Sequence, residues 1–344
     1  MIFEFYVSDD NDIPETLLFV CRYWHDAALY FPTLWSNLRF PKCPSIRPEW
    51  ALGFLQTRCL RSHPAPIHLD LAAIDAPVEQ LVHVTTLMER CVGITIHHGD
   101  HWGFVAQYLP QLEYLTLALR LPPPRGIELQ PTAKLKSLKF ELPDCLPSCP
   151  VMILSHLESE LELPFSWFTT SRPELYRVAS AATKVQRLRL NIIATPQYSV
   201  DLLENFFFYQ ECIFEEVTHL ILRYADNGLE RVVRHPLEMI QVPKLQRLEI
   251  LLHHLRTIEG LARTNYLTVT QLTLVILTVP SNPSDGFGLE CEAVLELLER
   301  LPSLEVLELS APLEIMTKVR VGLRERNLCP CLSVVRHHSH IPSS

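Results

Sequence analysis

Residues 243–250, "PKLQRLEI", and residues 301–309, "LPSLEVLEL", carry the same spacing of apolar side chains. In each, an apolar residue is followed after three positions by a second one and after two more by a third. A step of two residues is typical of a short strand with one buried face. The triplet occurs seven times, at Leu112, Leu115 and Leu117; Leu135, Leu138 and Phe140; Val185, Leu188 and Leu190; Val217, Leu220 and Leu222; Leu245, Leu248 and Ile250; Val269, Leu272 and Leu274; and Leu304, Leu307 and Leu309.

The triplets recur at an interval typical of leucine-rich repeats. Weaker copies lie at residues 67–71, 92–96 and 157–163, and with these included the spacing is roughly 23 to 35 residues. One such strand cannot bury its apolar edge alone, whereas stacked neighbours form a continuous core. The pattern predicts an α/β fold, an irregular leucine-rich-repeat solenoid of horseshoe shape preceded by a short helical module. An ordinary α/β protein whose strands begin with similar triplets is the alternative.

The composition indicates an ordered chain with an acidic surface. Apolar residues make up 48% and charged residues 20% of the 344 residues, and the formal net charge is −9 at pH 7. A negative surface opposes binding to nucleic acid or to an anionic membrane. No apolar run is long enough to span a bilayer, and the N-terminus lacks the pattern of a signal peptide. We therefore expect a soluble cytoplasmic or nuclear protein with no nucleic-acid and no membrane partner.

The first forty residues show helical periodicity. Asp12 is a candidate N-cap, and Pro14 falls in the first turn of the expected helix. Steps of three and four residues then predict one apolar helix face, made of Leu17, Val20, Cys21, Trp24, Ala27 and Ala28. Pro32 ends this helix, and residues 33–38 are expected to form a second short helix.

Residues 17–40, "LLFVCRYWHDAALYFPTLWSNLRF", resemble the second half of the F-box-like domain of mushroom-type fungi. That family's pattern is close to VC-x-x-W-x-x-x-A-x-x-x-P-x-LW. The matching residues are Val20, Cys21, Trp24, Ala28, Pro32, Leu34 and Trp35. The resemblance is specific in the first forty residues and looser beyond them, where such proteins continue into leucine-rich repeats. The family's first helix usually begins with Leu-Pro-x-Glu before an Ile-Phe pair. Here Ile2 and Phe3 directly follow Met1, so we expect a clipped first helix.

The resemblance implies a substrate-recognition subunit of a cullin-based ubiquitin ligase. In that family the F-box helices bind a Skp-type adaptor through apolar side chains, and the repeats hold a protein target. Carried over to this chain, the adaptor-binding residues are Pro14, Leu17, Val20, Trp24, Leu34 and Trp35. Packing of the module against the first repeat is the alternative role for Trp24 and Trp35. Because a clipped helix removes part of the adaptor surface, the alternative function is a leucine-rich-repeat interaction scaffold without a ubiquitin-ligase connection.

The domain organisation expected from these patterns has four parts. They are an F-box-like helical module over residues 1–40, a helical linker over 41–66, the leucine-rich-repeat array over 67–330 and a flexible tail over 331–344. Between the strands we expect helical or irregular returns. The clearest is a helix that carries Ala293, Leu295, Leu297 and Leu298 and ends before Pro302.

Side chains that alternate with the buried leucines point to the other side of each strand. In a repeat array this second face is usually the binding surface, and its mixed charge with a few apolar residues favours a protein target whose identity is unknown. The predicted target-binding residues are Lys139, Glu141, Arg189, Asn191, Arg223, Glu249, Thr273 and Glu308. A solvated face without a ligand is the alternative.

The sequence contains no motif that requires catalysis or a cofactor. Eight of the fifteen histidines cluster around residues 97–101, 253–254 and 337–340, but HExxH and paired cysteines at zinc spacing do not occur. Glycine-rich phosphate loops and GxSxG do not occur either. We expect a protein that is not an enzyme and binds no cofactor and no metal, with these histidines exposed in loops and in the tail.

Overall fold

The computed structural model describes residues 14–39, 48–71, 89–118, 134–141, 151–165, 172–192, 212–224, 240–252, 267–276 and 287–338. The chain divides into two compact units, Met1–Cys149 (unit 1) and Pro150–Ser344 (unit 2). The boundaries expected after residues 40 and 66 both lie inside unit 1. Each unit contains both helices and strands, and no helix of the described ranges is long and apolar enough to cross a membrane.

The N-terminal part of unit 1 is helical but does not form the single helix predicted up to Pro32. Its elements are a 3-10 helix Pro14–Phe19, helix α1 Arg22–Tyr30, a 3-10 helix Pro32–Trp35 and, after strand β1 Asn37–Arg39, helix α2 Pro48–Arg61. Cys21 has extended backbone, with φ −165° and ψ 169°, and separates the first two segments. The second predicted helix, over residues 33–38, ends at Trp35 because the chain continues into β1.

A small apolar cluster explains the break at Cys21. Leu17, Ala28, Leu34 and Trp35 are buried in it, and Leu18 and Trp24 pack against it. In a continuous helix, Leu17 and Ala28 would lie about 16 Å apart along the axis, so the break is what lets both reach one cluster. The indole Nε1 of Trp35 donates a hydrogen bond of 2.8 Å to the carbonyl oxygen of Ala28, which satisfies its polar group inside the cluster.

Arg58 connects helix α2 to the N-terminal helices. Its Nε and Nη2 atoms donate hydrogen bonds to the two carboxylate oxygens of Glu15, at 2.8 and 2.5 Å. Its Nη1 atom donates to the carbonyl oxygen of Asn37 at 3.2 Å. The side chain of Arg58 is 4% exposed and that of Glu15 is 23% exposed, so the pair is largely withdrawn from water. The expected linker over residues 41–66 is therefore helical over 48–61 and is joined to the module rather than separate from it.

Unit 1 continues as a parallel sheet in chain order. The strands that follow β1 are β2 Ile67–Asp70, β3 Cys91–Ile96, β4 Tyr114–Leu117 and β5 Ser137–Phe140, each paired with its predecessor. Between β3 and β4 lie a 3-10 helix Gly99–His101, helix α3 Trp102–Ala106 and a 3-10 helix Leu109–Gln111. Trp102 is fully buried in this return and provides a large apolar contact.

Unit 2 repeats this arrangement with longer strands. Its elements are α4 Val151–His156, β6 Glu160–Phe165, α5 Arg172–Ala181, β7 Arg187–Ile192, β8 Cys212–Ile213, β9 His219–Tyr224, β10 Ile240–Gln241, β11 Arg247–Leu252, β12 Gln271–Ile276, α6 Phe287–Glu299, β13 Val306–Ser310, α7 Leu313–Glu325 and β14 Val334–His338. The main sheet has the order β6-β7-β9-β11-β12-β13-β14, with all pairs parallel. The short strands β8 and β10 pair separately.

Equivalent leucines of successive triplets lie side by side. In unit 2 the register aligns Leu188, Leu220, Leu248, Leu272 and Leu307 across five strands. All residues of the seven triplets are at most 4% exposed, so the predicted repeat strands are confirmed. Each unit is a mixed α/β array of leucine-rich-repeat type, because one position of the repeat occupies one position of the core in strand after strand. The horseshoe shape stays a prediction.

The C-terminal strand contradicts the expected flexible tail from residue 331. Val334–His338 form β14, which continues the register of β13. The hydroxyl of Ser310 donates a hydrogen bond of 3.3 Å to the carbonyl oxygen of His338. The prediction missed this strand because it lacks a leucine triplet. The helical return before Pro302 is confirmed as α6, whose Leu297 and Leu298 are buried.

Cysteine reactivity tests the burial of the core. Burial raises the pKa of the Cys91 thiol to about 12, and the thiolate is the form that reacts with alkylating reagents. Cys21 is exposed. Iodoacetamide at about pH 8 should therefore label Cys21 in the native protein and leave Cys91 unlabelled until denaturant is added, as read by peptide mass spectrometry. Equal labelling of both thiols in the native state would contradict this packing.

The ion pair of Arg58 should contribute strongly to the stability of unit 1. Glu15→Gln leaves a buried guanidinium without its anionic partner, and we expect a loss of about 2 to 3 kcal/mol. The free energy of unfolding in urea, followed by tryptophan fluorescence, measures it. The matched control is Glu113→Gln, which breaks the 2.8 Å pair with Lys136, a residue whose side chain is 58% exposed. That variant should lose markedly less stability, because water and salt screen an exposed pair. Equal losses in the two variants would show that the pair of Arg58 and Glu15 contributes no more than an exposed pair.

Candidate interaction surfaces

The strands of unit 2 present an outward sheet face, called here the outer face of unit 2. Strand alternation places every second side chain on it, opposite the buried leucines. The register arranges these side chains in three rows. The first row is Glu160, Arg187, His219, Arg247, Gln271, Val306 and Val334; the middle row is Glu162, Arg189, Ile221, Glu249, Thr273, Glu308 and Arg336; the third row is Pro164, Asn191, Arg223, Leu251, Val275, Ser310 and His338.

The register brings most of the predicted target-binding residues together. Six of them share the outer face of unit 2, namely Arg189, Glu249, Thr273 and Glu308 in the middle row and Asn191 and Arg223 in the third row. The other two, Lys139 and Glu141, belong to unit 1, where Lys139 pairs in register with Thr116 of β4. A role of these residues in target binding stays a prediction.

The outer face begins with a nearly buried carboxylate that is fully satisfied. Glu162 accepts hydrogen bonds from Nη1 of Arg189 at 2.8 Å and from Nδ2 of Asn191 at 2.7 Å. The Nη2 atom of Arg189 also lies 3.1 Å from Oε1 of Glu160. Because breaking such a buried pair would leave an uncompensated charge, these side chains are held in place. Arg189 and Asn191 were predicted as target contacts, but in this structure they first serve to neutralise Glu162.

A second set of contacts crosses strands β7, β9 and β11. The Nε atom of Arg187 donates a hydrogen bond of 3.1 Å to Nδ1 of His219. A guanidinium can only donate, so Nδ1 is the acceptor, and Nε2 of His219 lies 3.7 Å from Oε2 of Glu249. The nearby His219 is the main cause of the lowered pKa of Glu249, and the positive charges of Arg223 and Arg189 lower it further, whereas burial opposes the shift. Glu249 is therefore held in its ionised form.

The far end of the outer face alternates polar and apolar positions. Glu308 accepts hydrogen bonds from Oγ1 of Thr273 at 3.3 Å and from Nη1 of Arg336 at 2.5 Å. The third row beside them carries the half-exposed side chains of Leu251 and Val275. Such a mixture of ordered charges with small apolar patches is typical of surfaces that bind other proteins.

Unit 1 has a groove on its own outward face, called here the groove of unit 1. A groove of about 200 Å³ is lined by Asn37, His68, Leu69, Asp70, Gly93, Ile94, Thr95, Tyr114 and Thr116. The groove depends on Gly93, because a Cβ atom at this position would collide with the ring of His68. The rings of His68 and Tyr114 lie 5.4 Å apart over this point. His68 is exposed at the surface, but the atoms packed around its ring partly desolvate it and so lower its pKa, although the nearby charge of Glu113 opposes the shift.

The predicted adaptor-binding residues are mostly internal. Leu17, Leu34 and Trp35 form the core of the N-terminal cluster, so they are covered in this structure, and their contact with an adaptor stays a prediction. Packing, the alternative role for Trp35, fits the structure, and Arg61 of α2 covers its ring at 4.6 Å. Trp24 is half-buried against the same cluster. Val20 is exposed, whereas the side chain of Pro14 lies outside the described residues.

Several other large apolar side chains of the N-terminal helices are exposed, like Val20. Phe19, Tyr23 and Tyr30 are 86%, 78% and 84% exposed. Tyr23 and Tyr30 are seven residues apart on α1, which places them on one face of the helix. The apolar spacing in the sequence does not predict their exposure, because it marks the residues of the core face and predicts a helix that is continuous past Cys21. The aromatic patch is defined as Phe19, Val20, Tyr23, Leu29, Tyr30 and Phe31.

The histidines do not all lie in exposed positions as predicted. His101 is buried, and Nε2 of His97 lies 2.9 Å from Oδ1 of Asp70. His98 is exposed and meets the ring of His101 edge-on at 5.4 Å. The prediction was wrong for His97 and His101 because the chain turns there into the short return helices. His253 and His254 lie outside the described residues. Within the described ranges, no three His, Cys, Asp or Glu side chains converge as metal ligands would.

Comparisons with known proteins show similarity in structure alone. The chain matches no protein-family model, and no curated protein resembles it in sequence. Among solved structures, it is similar to the leucine-rich repeat-containing protein LegL7 from Legionella pneumophila. The TM-score is 0.46, with 16% sequence identity over 88% of this chain and 90% of that one. This similarity is too distant to bear on function, so a functional conclusion depends on the surfaces themselves.

Titration of His68 tests the geometry of the groove of unit 1. Gly93→Ala places a methyl group where the imidazole lies and should displace the ring from the groove and further into water. Because burial is the main cause of the lowered pKa, the pKa of His68 should rise toward the ordinary value for histidine. The measurement is an NMR titration of the imidazole protons. The matched control is Gly53→Ala on α2, where a Cβ atom meets nothing within 4 Å and the pKa should not change. An unchanged pKa in both variants would contradict the described geometry.

Proposed function

We propose that this chain is a protein-interaction receptor whose unit 2 holds a protein target on its outer face. The observation that carries the proposal is the arrangement of polar and apolar side chains in three rows over parallel strands. The rows are wide and open, and their charged members are ordered by mutual hydrogen bonds. An ordered open face suits another protein chain better than a small molecule, which favours an enclosed pocket.

The aromatic patch supports a second, separate binding role for the N-terminal helices. The exposure of aromatic side chains to water is energetically unfavourable, and such residues are enriched at protein interfaces. The patch lies within the residues that resemble an F-box-like domain. We therefore propose that it docks onto a Skp-type adaptor, so that the chain acts as the target-recognition subunit of a cullin-based ubiquitin ligase in the cytoplasm or nucleus.

The side chains that would contact the adaptor differ in part from those that the resemblance implies. Leu17, Leu34 and Trp35 support the surface from inside, whereas Tyr23, Tyr30 and Val20 would contact the partner. In this function the chain supplies binding and no catalysis. The alternative remains an interaction scaffold that has the outer face of unit 2 but no connection to a ubiquitin ligase.

Adaptor binding separates these two functions. When the chain is co-expressed with a Skp-type adaptor, we expect the two to co-purify in equal amounts. Tyr23→Asp combined with Tyr30→Asp should reduce the recovered adaptor about tenfold or more, since buried aromatic residues dominate such interfaces. Tyr176→Asp is the matched control, because Tyr176 is an exposed tyrosine of unit 2, and it should leave recovery unchanged.

Two outcomes would reject the ligase connection. One is a folded chain that retains no adaptor. The other is adaptor retention that the paired change at Tyr23 and Tyr30 does not reduce while circular dichroism shows a native fold. The scaffold function would then stand, because it does not depend on the aromatic patch.

A further inference from the structure

The centre of the outer face of unit 2 is basic although the whole chain is acidic. Strands β7, β9 and β11 carry four arginines on that face and one glutamate, namely Arg187, Arg189, Arg223, Arg247 and Glu249. The formal net charge of the chain is −9. A local excess of positive charge in an acidic protein attracts an oppositely charged ligand to that region.

Two of the four arginines are already engaged. Arg189 binds Glu162 and Glu160, and Arg187 donates to His219 while lying 3.7 Å from Glu160. Arg223 and Arg247 have exposed side chains, and neither has a hydrogen bond or an ion-pair contact among the described residues, although the charge of Arg223 helps to lower the pKa of Glu249. These two guanidinium groups are therefore available to bind carboxylates from another molecule.

The positions of the two free arginines set a spacing for the ligand. Arg247 lies in the first row and Arg223 in the third row of the neighbouring strand. Four residues of strand and one strand spacing separate their Cα atoms, which corresponds to about 14 Å. An extended peptide spans a similar distance over four residues. Glu249, held ionised in the middle row between them, repels a third carboxylate at that point.

We propose that the outer face over β7, β9 and β11 binds an acidic segment of a protein partner, with Arg223 and Arg247 contacting two carboxylates four residues apart. The inference deepens the proposed function, since it rests on the outer face of unit 2 being the target-binding surface. Leu251 and Val275 adjoin Arg223 in the third row, so an apolar residue next to one acidic residue would add contact area. A nucleic acid suits this face poorly, because its regular phosphates would meet Glu249.

Peptide binding tests the inference. The probe is a fluorescein-labelled peptide of about twelve residues with two glutamates four positions apart among serines and one leucine. Matched peptides carry glutamine or lysine at those two positions. By fluorescence anisotropy at low salt, the full-length chain should bind the glutamate peptide about fivefold or more tightly than the glutamine peptide, as expected for two exposed ion pairs.

Charge reversal identifies the residues. Arg223→Glu with Arg247→Glu should abolish the preference for glutamate. Arg320→Glu with Arg324→Glu changes the net charge equally on the exposed surface of α7 and should preserve it. If charge reversal unfolds the chain, as circular dichroism would show, the milder pair Arg223→Gln and Arg247→Gln replaces it with the same expectation.

Three outcomes would overturn the inference. One is a glutamate peptide that binds no more tightly than the glutamine peptide. Another is a preference that the α7 control abolishes equally, because the effect would then come from net charge alone. The third is a preference for the lysine peptide that Glu249→Gln removes. In that last case the outer face would still be a binding surface, and only its choice of an acidic partner would be wrong.

Discussion

Each leucine triplet places large apolar side chains on one side of a strand of four to six residues, and such a strand cannot shield them from water by itself. The next strand must therefore lie beside it in the same register. Leu220, for example, is fully buried and is flanked in the sheet by Leu188 and Leu248. This requirement propagates along each unit and sets the strand order, the parallel direction and the side of the sheet on which the returns lie. Arrays held in this way derive their stability from contacts between neighbouring repeats.

The same register determines what the outward side chains can do. A fixed side-by-side arrangement brings charges of adjacent repeats within hydrogen-bond distance, so side chains of neighbouring strands order one another. Arg189 satisfies Glu162, and Arg187 orients His219 toward Glu249. Arginines of the outer face that make no ion pair with a neighbouring strand are then available to bind another protein. The acidic chain thus presents a basic centre, and its binding preference follows from which arginines the repeats leave unpaired.

Local patterns in the sequence predicted part of the fold. The seven triplets predicted the buried strands, and the spacing of apolar residues before Pro302 predicted α6, because both are local patterns. Features that depend on distant contacts were missed. Arg58 binds Glu15, which lies 43 positions earlier in the chain. Strand β14 forms by pairing with the edge of β13. The break at Cys21 and the exposure of Tyr23 follow from how the N-terminal cluster closes, which periodicity alone does not specify.

The register of unit 2 is the claim on which the outer face depends, and distances between spin labels test it most directly. One label replaces Arg187 and a second replaces Gln271, Val306 or Val334 in turn, all in the first row. Double electron–electron resonance should give distances that increase in that order by about 4.8 Å per strand. Distances that stay equal or change order would contradict the stacked array and the binding face built on it.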